Sequence, residues 1–233
     1  MSDNKKTVHA IETKGDNILN SFLKLKELII KNQKMVFIGI IVVIALVVVA
    51  ILVNNRAIAN KKVASEKLSA IMENYSNFNF NKALNGDSLQ GKDGFVKIAD
   101  EYGSTNSGNI AKLLAGNSYY ALSNFDKAIE YYEDFSGSSK MLKAASIAGQ
   151  AAVYEAKRDF AKAAEYYLIA SKEDEFNPTN SELLLKASNN FIKIGELEKA
   201  EEILNTIKKD YPKTKASREI ERYLGKISVK KLG

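Results

Sequence analysis

Nineteen consecutive residues, Met35 to Val53 (MVFIGIIVVIALVVVAILV), carry no polar side chain, and that run limits what the rest of the chain can be. As a helix the run reaches about 28 Å at 1.5 Å per residue, close to a hydrocarbon core of about 30 Å. Fifteen of its residues are Val, Ile, Leu or Phe. At roughly −0.3 to −0.6 kcal/mol each, insertion is favoured by about 5 to 9 kcal/mol. Ala57-Ile58-Ala59 resembles a signal-peptidase site. The run is longer than a signal core of about 7 to 15 residues, so an uncleaved anchor is predicted.

The flanks do not settle orientation by charge. Lys24, Lys26, Lys31 and Lys34 precede the span, and Arg56, Lys61, Lys62 and Lys67 follow it. Because long C-terminal domains translocate largely regardless of charge, the N-terminus is expected in the cytoplasm; the tie leaves reversed topology open. Within the tail, residues 1–15 are polar and expected to be disordered. From Asp16, a candidate N-cap, Ile18, Phe22, Leu25 and Ile29 recur at helical spacing with lysines between them. That pattern fits a helix on an anionic leaflet, or equally a simple extension of the membrane helix.

Composition removes whole classes of chemistry. Without Cys there is no disulfide framework, thiolate zinc site, cysteine nucleophile or lipidated cysteine. The one His, His9, lies in the polar tail, so no Ser-His-Asp arrangement can form in a folded body. Two Pro and thirteen Gly are few for an all-β chain. The net charge of +6 separates into +3 for residues 1–34, +3 for 54–68, −5 for 69–212 and +5 for 213–233. Positive charge therefore flanks the span, where anionic lipid is the natural counterion, and the acidic body argues against nucleic acid.

Beyond the span the sequence repeats itself. Gly116-x2-Tyr119 with Phe125-x2-Ala128-x3-Tyr132 aligns with Ala151-x2-Tyr154 and Phe160-x2-Ala163-x3-Tyr167. Both align with Ser188-x2-Phe191 and Leu197-x2-Ala200-x3-Leu204, at separations of 35 and 37 residues. The columns read small, aromatic, apolar, Ala, large apolar. A small residue lets a first helix approach its neighbour, the aromatic fills the space between, and Ala marks where the second helix crosses the first. Ser123-Asn124, Arg158-Asp159 and Gly195-Glu196 supply the turns, and Asn177-Pro178-Thr179-Asn180 explains the longer second spacing.

These columns resemble the tetratricopeptide repeat (TPR), a helix–turn–helix of about 34 residues with Gly-x2-Tyr, Ala-x3-Phe and a late Pro, here Pro212. The missing Trp and the longer spacings depart from that pattern. A final helix over about 214–226, with Ile220, Tyr223 and Leu224, would cap the stack. Upstream, Val63, Leu68, Ile71, Met72 and Tyr75 predict a helix leaving the membrane. Phe80-x2-Ala83 echoes the repeat until Gly86 stops it, a helix Phe95–Tyr102 follows, and residues 103–109 read as a loop.

The segment Ala83-Leu84-Asn85-Gly86-Asp87, Gly94-Phe95 to Tyr102-Gly103-Ser104-Thr105, and Gly108-Asn109 to Ala111 is similar to single-pass tetratricopeptide proteins of Bacteroidota. These are related to the YfgM-type ancillary subunit of the Sec translocon. The resemblance covers nearly the whole chain from about residue 20. It implies a bacterial inner-membrane anchor, a periplasmic repeat domain, and association with the Sec translocon, periplasmic chaperones or emerging polypeptides.

The expected fold class is all-α, an N-terminal transmembrane helix followed by an α-solenoid of TPR-like hairpins. Its parts are a cytoplasmic tail with an amphipathic helix (1–34), the span (35–53), a degenerate opening repeat near the membrane (54–108), and three repeats with a capping helix (109–233). Gly86 to Lys92 fits seven positions of a phosphate-binding P-loop, but Asp93 replaces the Ser or Thr and no strand precedes it, so a loop is expected. The acidic runs Glu130/Glu133/Asp134, Glu173-Asp174-Glu175 and Glu201-Glu202 read as solvated helix faces. No catalytic residue, cofactor or metal is expected. Tyr119, Tyr132, Tyr154 and Tyr167 fall in core columns, which leaves Tyr120, Tyr131 and Tyr166 at least partly exposed.

In tetratricopeptide folds the first helix of each pair lines a protein-binding groove. That resemblance assigns to the groove Leu113, Asn117 and Tyr120, then Ala148, Ala152 and Glu155, then Leu185, Asn189 and Ile192. Leucines stand where carboxylate-clamping repeats carry basic residues, so an extended apolar segment is the expected client.

Overall fold

The computed structural model describes residues 19–232. The expectations for residues 1–15, His9, Asp16 and Ile18 lie outside the described residues. Among the described residues every regular element is helical, and the chain divides into two compact units between Ile58 and Ala59.

In the first unit, residues 19–31 form helix α1, and Asn32 separates it from α2 (Gln33–Ser76). The backbone N–H of Asn32 donates to Leu28 and that of Val36 to Asn32, the closing bond of α1 and the opening bond of α2. No residue of the apolar run is buried inside the protein, and α2 is long and apolar enough to cross a membrane.

The second unit begins within α2, whose last turns bury Ala64, Ile71 and Asn74. It continues through α3 (Phe80–Asn85), α4 (Phe95–Tyr102), α5 (Asn106–Ala121), α6 (Phe125–Glu133), α7 (Lys140–Ala156), α8 (Phe160–Glu173), α9 (Asn180–Ile194), α10 (Leu197–Asp210) and α11 (Lys215–Leu232). The helix Phe95–Tyr102 forms as expected, but the loop after it is shorter. Thr105 caps α5 by accepting the Gly108 N–H, which starts the helix at Asn106. The last helix runs past 226 to Leu232 and adds Ala216 and Ile227 to the buried Ile220 and Tyr223.

One turn geometry makes all four hairpins. Phe78, Ser123, Arg158 and Gly195 have φ of 58°, 60°, 64° and 84°. The next residue donates its N–H five positions back: Asn79 to Asn74, Asn124 to Tyr119, Asp159 to Tyr154, and Glu196 to Phe191. This 6→1 bond with a left-handed residue before it is the Schellman motif. Asn124 and Asp159 then cap the second helix by accepting from the N–H of Lys127 and Lys162. The turn Phe78-Asn79 shows that the end of α2 and α3 form a hairpin of the same kind.

At the crossings, Ala83, Ala128, Ala163 and Ala200 are fully buried, and Tyr132, Tyr167 and Leu204 fill the space beyond them. Burying a side chain of that size contributes about 1.5–3 kcal/mol. Small residues of the first helices admit these side chains. A Cβ on Gly116 of α5 would lie 2.6 Å from the Tyr132 ring, and one on Gly149 of α7 would lie 2.4 Å from it. Tyr132 is thus clasped between two first helices, where any larger residue would push it out. Ser188 spans the third crossing, its hydroxyl donating to the Ala200 carbonyl at 3.1 Å.

The turn geometry predicts opposite outcomes at equivalent positions. Gly195 has open space around its missing Cβ, so Gly195→Ala isolates the φ penalty and should lose about 1 kcal/mol. Arg158→Gly should gain about 0.5 kcal/mol, strain relief exceeding the added unfolded-state freedom. Urea denaturation of the two variants reads this; shifts of the same sign would refute a shared left-handed turn.

Candidate functional site

The first helices of successive hairpins lie side by side. α5 packs on α7, and Lys193 of α9 ties to α7 by donating to Glu155 Oε1 at 2.7 Å. Their common face is where the sequence places a groove, and the structure redistributes its residues.

Tyr120 is 37% exposed beside the Phe125 ring, and Asn117, Ala148, Ala152, Glu155 and Asn189 are half-buried. Leu113, Leu185 and Ile192, expected on the groove surface, are buried at 7%, 8% and 4% exposure. Leu113 packs in a core with Ala128, Tyr132 and Val153. Leu185 and Ile192 belong to the core that includes Ile220, Tyr223 and Ile227 of α11. Lys230 of α11 donates to the Ile192 carbonyl at 2.8 Å, fixing α11 against this helix.

The accessible stripe of α9 is therefore Glu182, Lys186, Asn189 and Lys193, one residue beyond the expected leucine column. On α7 it is Met141, Ala145, Ala148 and Ala152, a shallow apolar strip. Lys186 and Lys193 were not foreseen from the columns. Their i, i+7 spacing between apolar residues was the available signal.

The polar groups of this face are mostly engaged with each other. Tyr132 donates to Asn117 Oδ1 at 2.8 Å, and Asn117 Nδ2 donates to the Tyr75 hydroxyl at 3.4 Å. Tyr167 donates to Glu155 Oε2 at 3.1 Å. Lys193 lies over the Phe160 ring and Lys186 over the Tyr167 ring, at 4.5 and 5.3 Å. The amide of Asn189 has no hydrogen-bond partner among the described residues.

Of the tyrosines expected to be at least partly exposed, Tyr120 is the open one, and Tyr131 and Tyr166 are half-buried. Tyr131 stacks on Tyr119 at 5.4 Å and Tyr166 meets Tyr154 at 5.0 Å, so adjacent helices of each pair share their aromatic rings. Those contacts leave Tyr119 and Tyr154 half-buried rather than deep in the core. Burial pushes the Tyr131 hydroxyl up to about 12, with the Tyr119 hydroxyl adding to the shift. Burial also raises Tyr132, and raises Tyr167, where the Glu155 charge adds to it.

The segment that carries the family resemblance is occupied with folding. Gly86 has φ 93°, and a Cβ there would lie 2.4 Å from the Lys92 carbonyl. A Cβ on Gly94 would lie 2.1 Å from the Leu84 carbonyl. Leu84 and Phe95 are core. Asn109 donates to Gly103 and accepts the Ser136 N–H, both near 2.9 Å.

The P-loop-like stretch is a loop. Lys92 pairs with Glu73 at 3.3 Å, and Asp93 pairs with Lys67 and Lys97, which hold its carboxyl below the usual range. In the acidic runs, Glu130 pairs with Lys127, Asp134 with Lys112, Glu173 with Lys143 and Glu201 with Lys231. Among the described residues no His, Cys, Asp or Glu cluster is arranged to hold a metal.

A family model for the tetratricopeptide repeat matches residues 111–136 and 182–214. These ranges cover most of the first and third hairpins of the repeated region, and the columns of the second hairpin lie between them. No curated protein and no solved structure matches the chain. The chain is all-α: a long apolar N-terminal helix followed by a solenoid of TPR-like hairpins. Repeats of this kind typically mediate protein–protein interaction.

The raised tyrosines give a pH dependence with a definite sign. A folded-state value above the unfolded one, about 10, means stability is intact below that pH and lost as pH rises through the folded values. Thermal midpoints should stay level to about pH 10 and then fall. Tyr131→Phe should flatten the decline towards pH 12. An unchanged alkaline limb in that variant would count against a buried Tyr131 hydroxyl.

Proposed function

We propose that this chain is a non-enzymatic, membrane-anchored scaffold whose repeat domain binds proteins in the periplasm. It acts as an ancillary Sec-translocon subunit or as a chaperone for emerging polypeptides. The observation that carries the binding role is the shared face of α5, α7 and α9. The apolar strip Met141, Ala145, Ala148 and Ala152 runs between Tyr120 on one side and the unpaired Asn189 amide on the other. An extended chain lays alternate side chains on such a strip and offers its main chain to a flanking amide. Tyr120, large and amphipathic, is the natural anchor for it.

The apolar run Met35–Val53 supports the anchor, and the resemblance of the segment 83–111 supports kinship with the YfgM-type subunit and a bacterial inner-membrane location. Residues 54–108 then open the solenoid and 109–233 carry the recognising repeats. The tie of basic residues around the span supports one second reading, a cytoplasm-facing regulatory repeat protein of reversed topology. A scaffold of another envelope assembly machine would use the same face for a different client.

Two measurements test this. Residues 60–233 should resist protease in intact cells and be cut in spheroplasts; protection in both places the repeats in the cytoplasm. Photo-crosslinkers replacing Tyr120 or Ala148 should capture translocon, chaperone or nascent-chain components. Tyr120→Asp with Ala152→Arg should cut that capture roughly tenfold, the loss of an anchor contact worth about 1.4 kcal/mol. Recovery of none of these components would sink the proposed client.

A further inference from the structure

α1 carries a second interaction surface, distinct from the repeat face and lying within the first compact unit. Among residues 19–31, Leu19, Phe22, Leu23, Leu25, Ile29 and Ile30 are each 44–64% exposed. At 100° per residue these side chains sweep a broad arc, with Leu28 beyond its edge and Lys26 inside it. The opposite side is a narrow stripe of Asn20, Lys24, Glu27 and Lys31, at i, i+4, i+7 and i+11, and Lys34 follows just past the break. With Lys26, the segment has four cations and one anion.

Two partners suit an exposed apolar helix face: a second helix or a lipid surface. A two-stranded coiled coil needs only a narrow seam at two positions in seven. The arc here is several times wider and would leave Leu23 and Ile30 in water. Length argues the same way. A helix from Leu19 to Val53 would be about 52 Å long against a hydrocarbon core of about 30 Å, so as a straight continuation α1 would project beyond the core. Standing straight out, it would expose its whole arc to water.

The helix break at Asn32 is placed to resolve this. There the side-chain Nδ2 donates to the Leu28 carbonyl at 3.1 Å, beside the backbone N–H of the same residue, and so closes the end of α1. We infer that α1 turns at Asn32 to lie in the headgroup layer of the leaflet bordering the start of the span, apolar arc inward, with Lys24, Lys26, Lys31 and Lys34 on anionic lipid. Each such cation near an anionic surface is worth about 1 kcal/mol, and long lysine stems let Lys26 snorkel from within the arc. The inference rests on reading Met35–Val53 as a span.

The chain has no Trp, so a single introduced one reports locally. Full-length protein carrying Phe22→Trp, and separately Val43→Trp, is reconstituted into phosphatidylcholine vesicles with or without phosphatidylglycerol, some with brominated acyl chains. The Phe22→Trp protein should show blue-shifted emission and bromine quenching in anionic vesicles and at least a twofold loss of quenching in zwitterionic ones. Lys24→Glu with Lys31→Glu and Lys34→Glu should return it to water-like emission.

Val43→Trp should be quenched in every vesicle. Failure of both reporters overturns the span and the inference together, and failure of Phe22→Trp alone overturns only the inference. Equal quenching in both lipids overturns the anionic requirement. Blue-shifted emission without bromine quenching, with crosslinking between copies, assigns the face to a second chain instead.

Discussion

Close approach of paired helices is the constraint on which the folded part depends. Ala83, Ala128, Ala163 and Ala200 are each at a crossing with no surface left to solvent. An alanine contributes little burial of its own. Its value lies in what it admits: backbones close enough for Tyr132, Tyr167 and Leu204 to reach the next first helix. The left-handed turn residue sets the angle at which each pair closes, and one geometry is retained whether that residue is Phe78, Ser123, Arg158 or Gly195. Three of these accept strain of about 1–2 kcal/mol that glycine would avoid, so the hydrogen bonds and packing around the turn over-determine it.

Much of this was legible in the sequence because it recurs. The alanine column, the large residue four positions on and the small residue of the preceding helix each appear three times, and repetition separates a packing rule from composition. The apolar run was legible for the opposite reason, that nineteen such residues in succession occur nowhere else in the chain. What escaped was set by neighbours the columns do not encode. Leu185 and Ile192 looked like groove residues until α11 lay against α9, and Lys186 and Lys193, one position further round, then became the accessible ones. Tyr131 and Tyr166 are partly exposed, as adjacency suggested, but they also meet the rings of Tyr119 and Tyr154, a contact the columns do not encode.

The correction changes the chemistry expected of a client. A groove floored by Leu113, Leu185 and Ile192 would select large apolar side chains by burial. The face that exists offers Met141 and three alanines on α7, one large aromatic in Tyr120, and polar groups most of which are already paired. Asn117 is held by Tyr132 and Tyr75, and Glu155 by Tyr167 and Lys193. Such pre-arranged groups cost little ordering on binding, but they also give little new hydrogen bonding. What the face leaves open to contact is the shape along α7 and the side-chain amide of Asn189.

The segment 83–111 and the exposed face of α7 answer to different constraints. The residues from Ala83 to Ala111 that carry the resemblance are tied up in the fold: Gly86 and Gly94 admit a backbone, Asp87 is buried against Lys82, Thr105 caps α5, and Asn109 bridges to Ser136. A chain that kept this segment would keep the architecture whatever it bound. Met141, Ala145 and Asn189 have no comparable structural duty, since replacing any of them leaves every hairpin crossing intact. Divergence in client is thus free to occur there without loss of fold. Replacing residues of the exposed α7 stripe should leave stability level, while giving Gly86 or Gly94 a Cβ should lower it, because those two glycines lie against backbone.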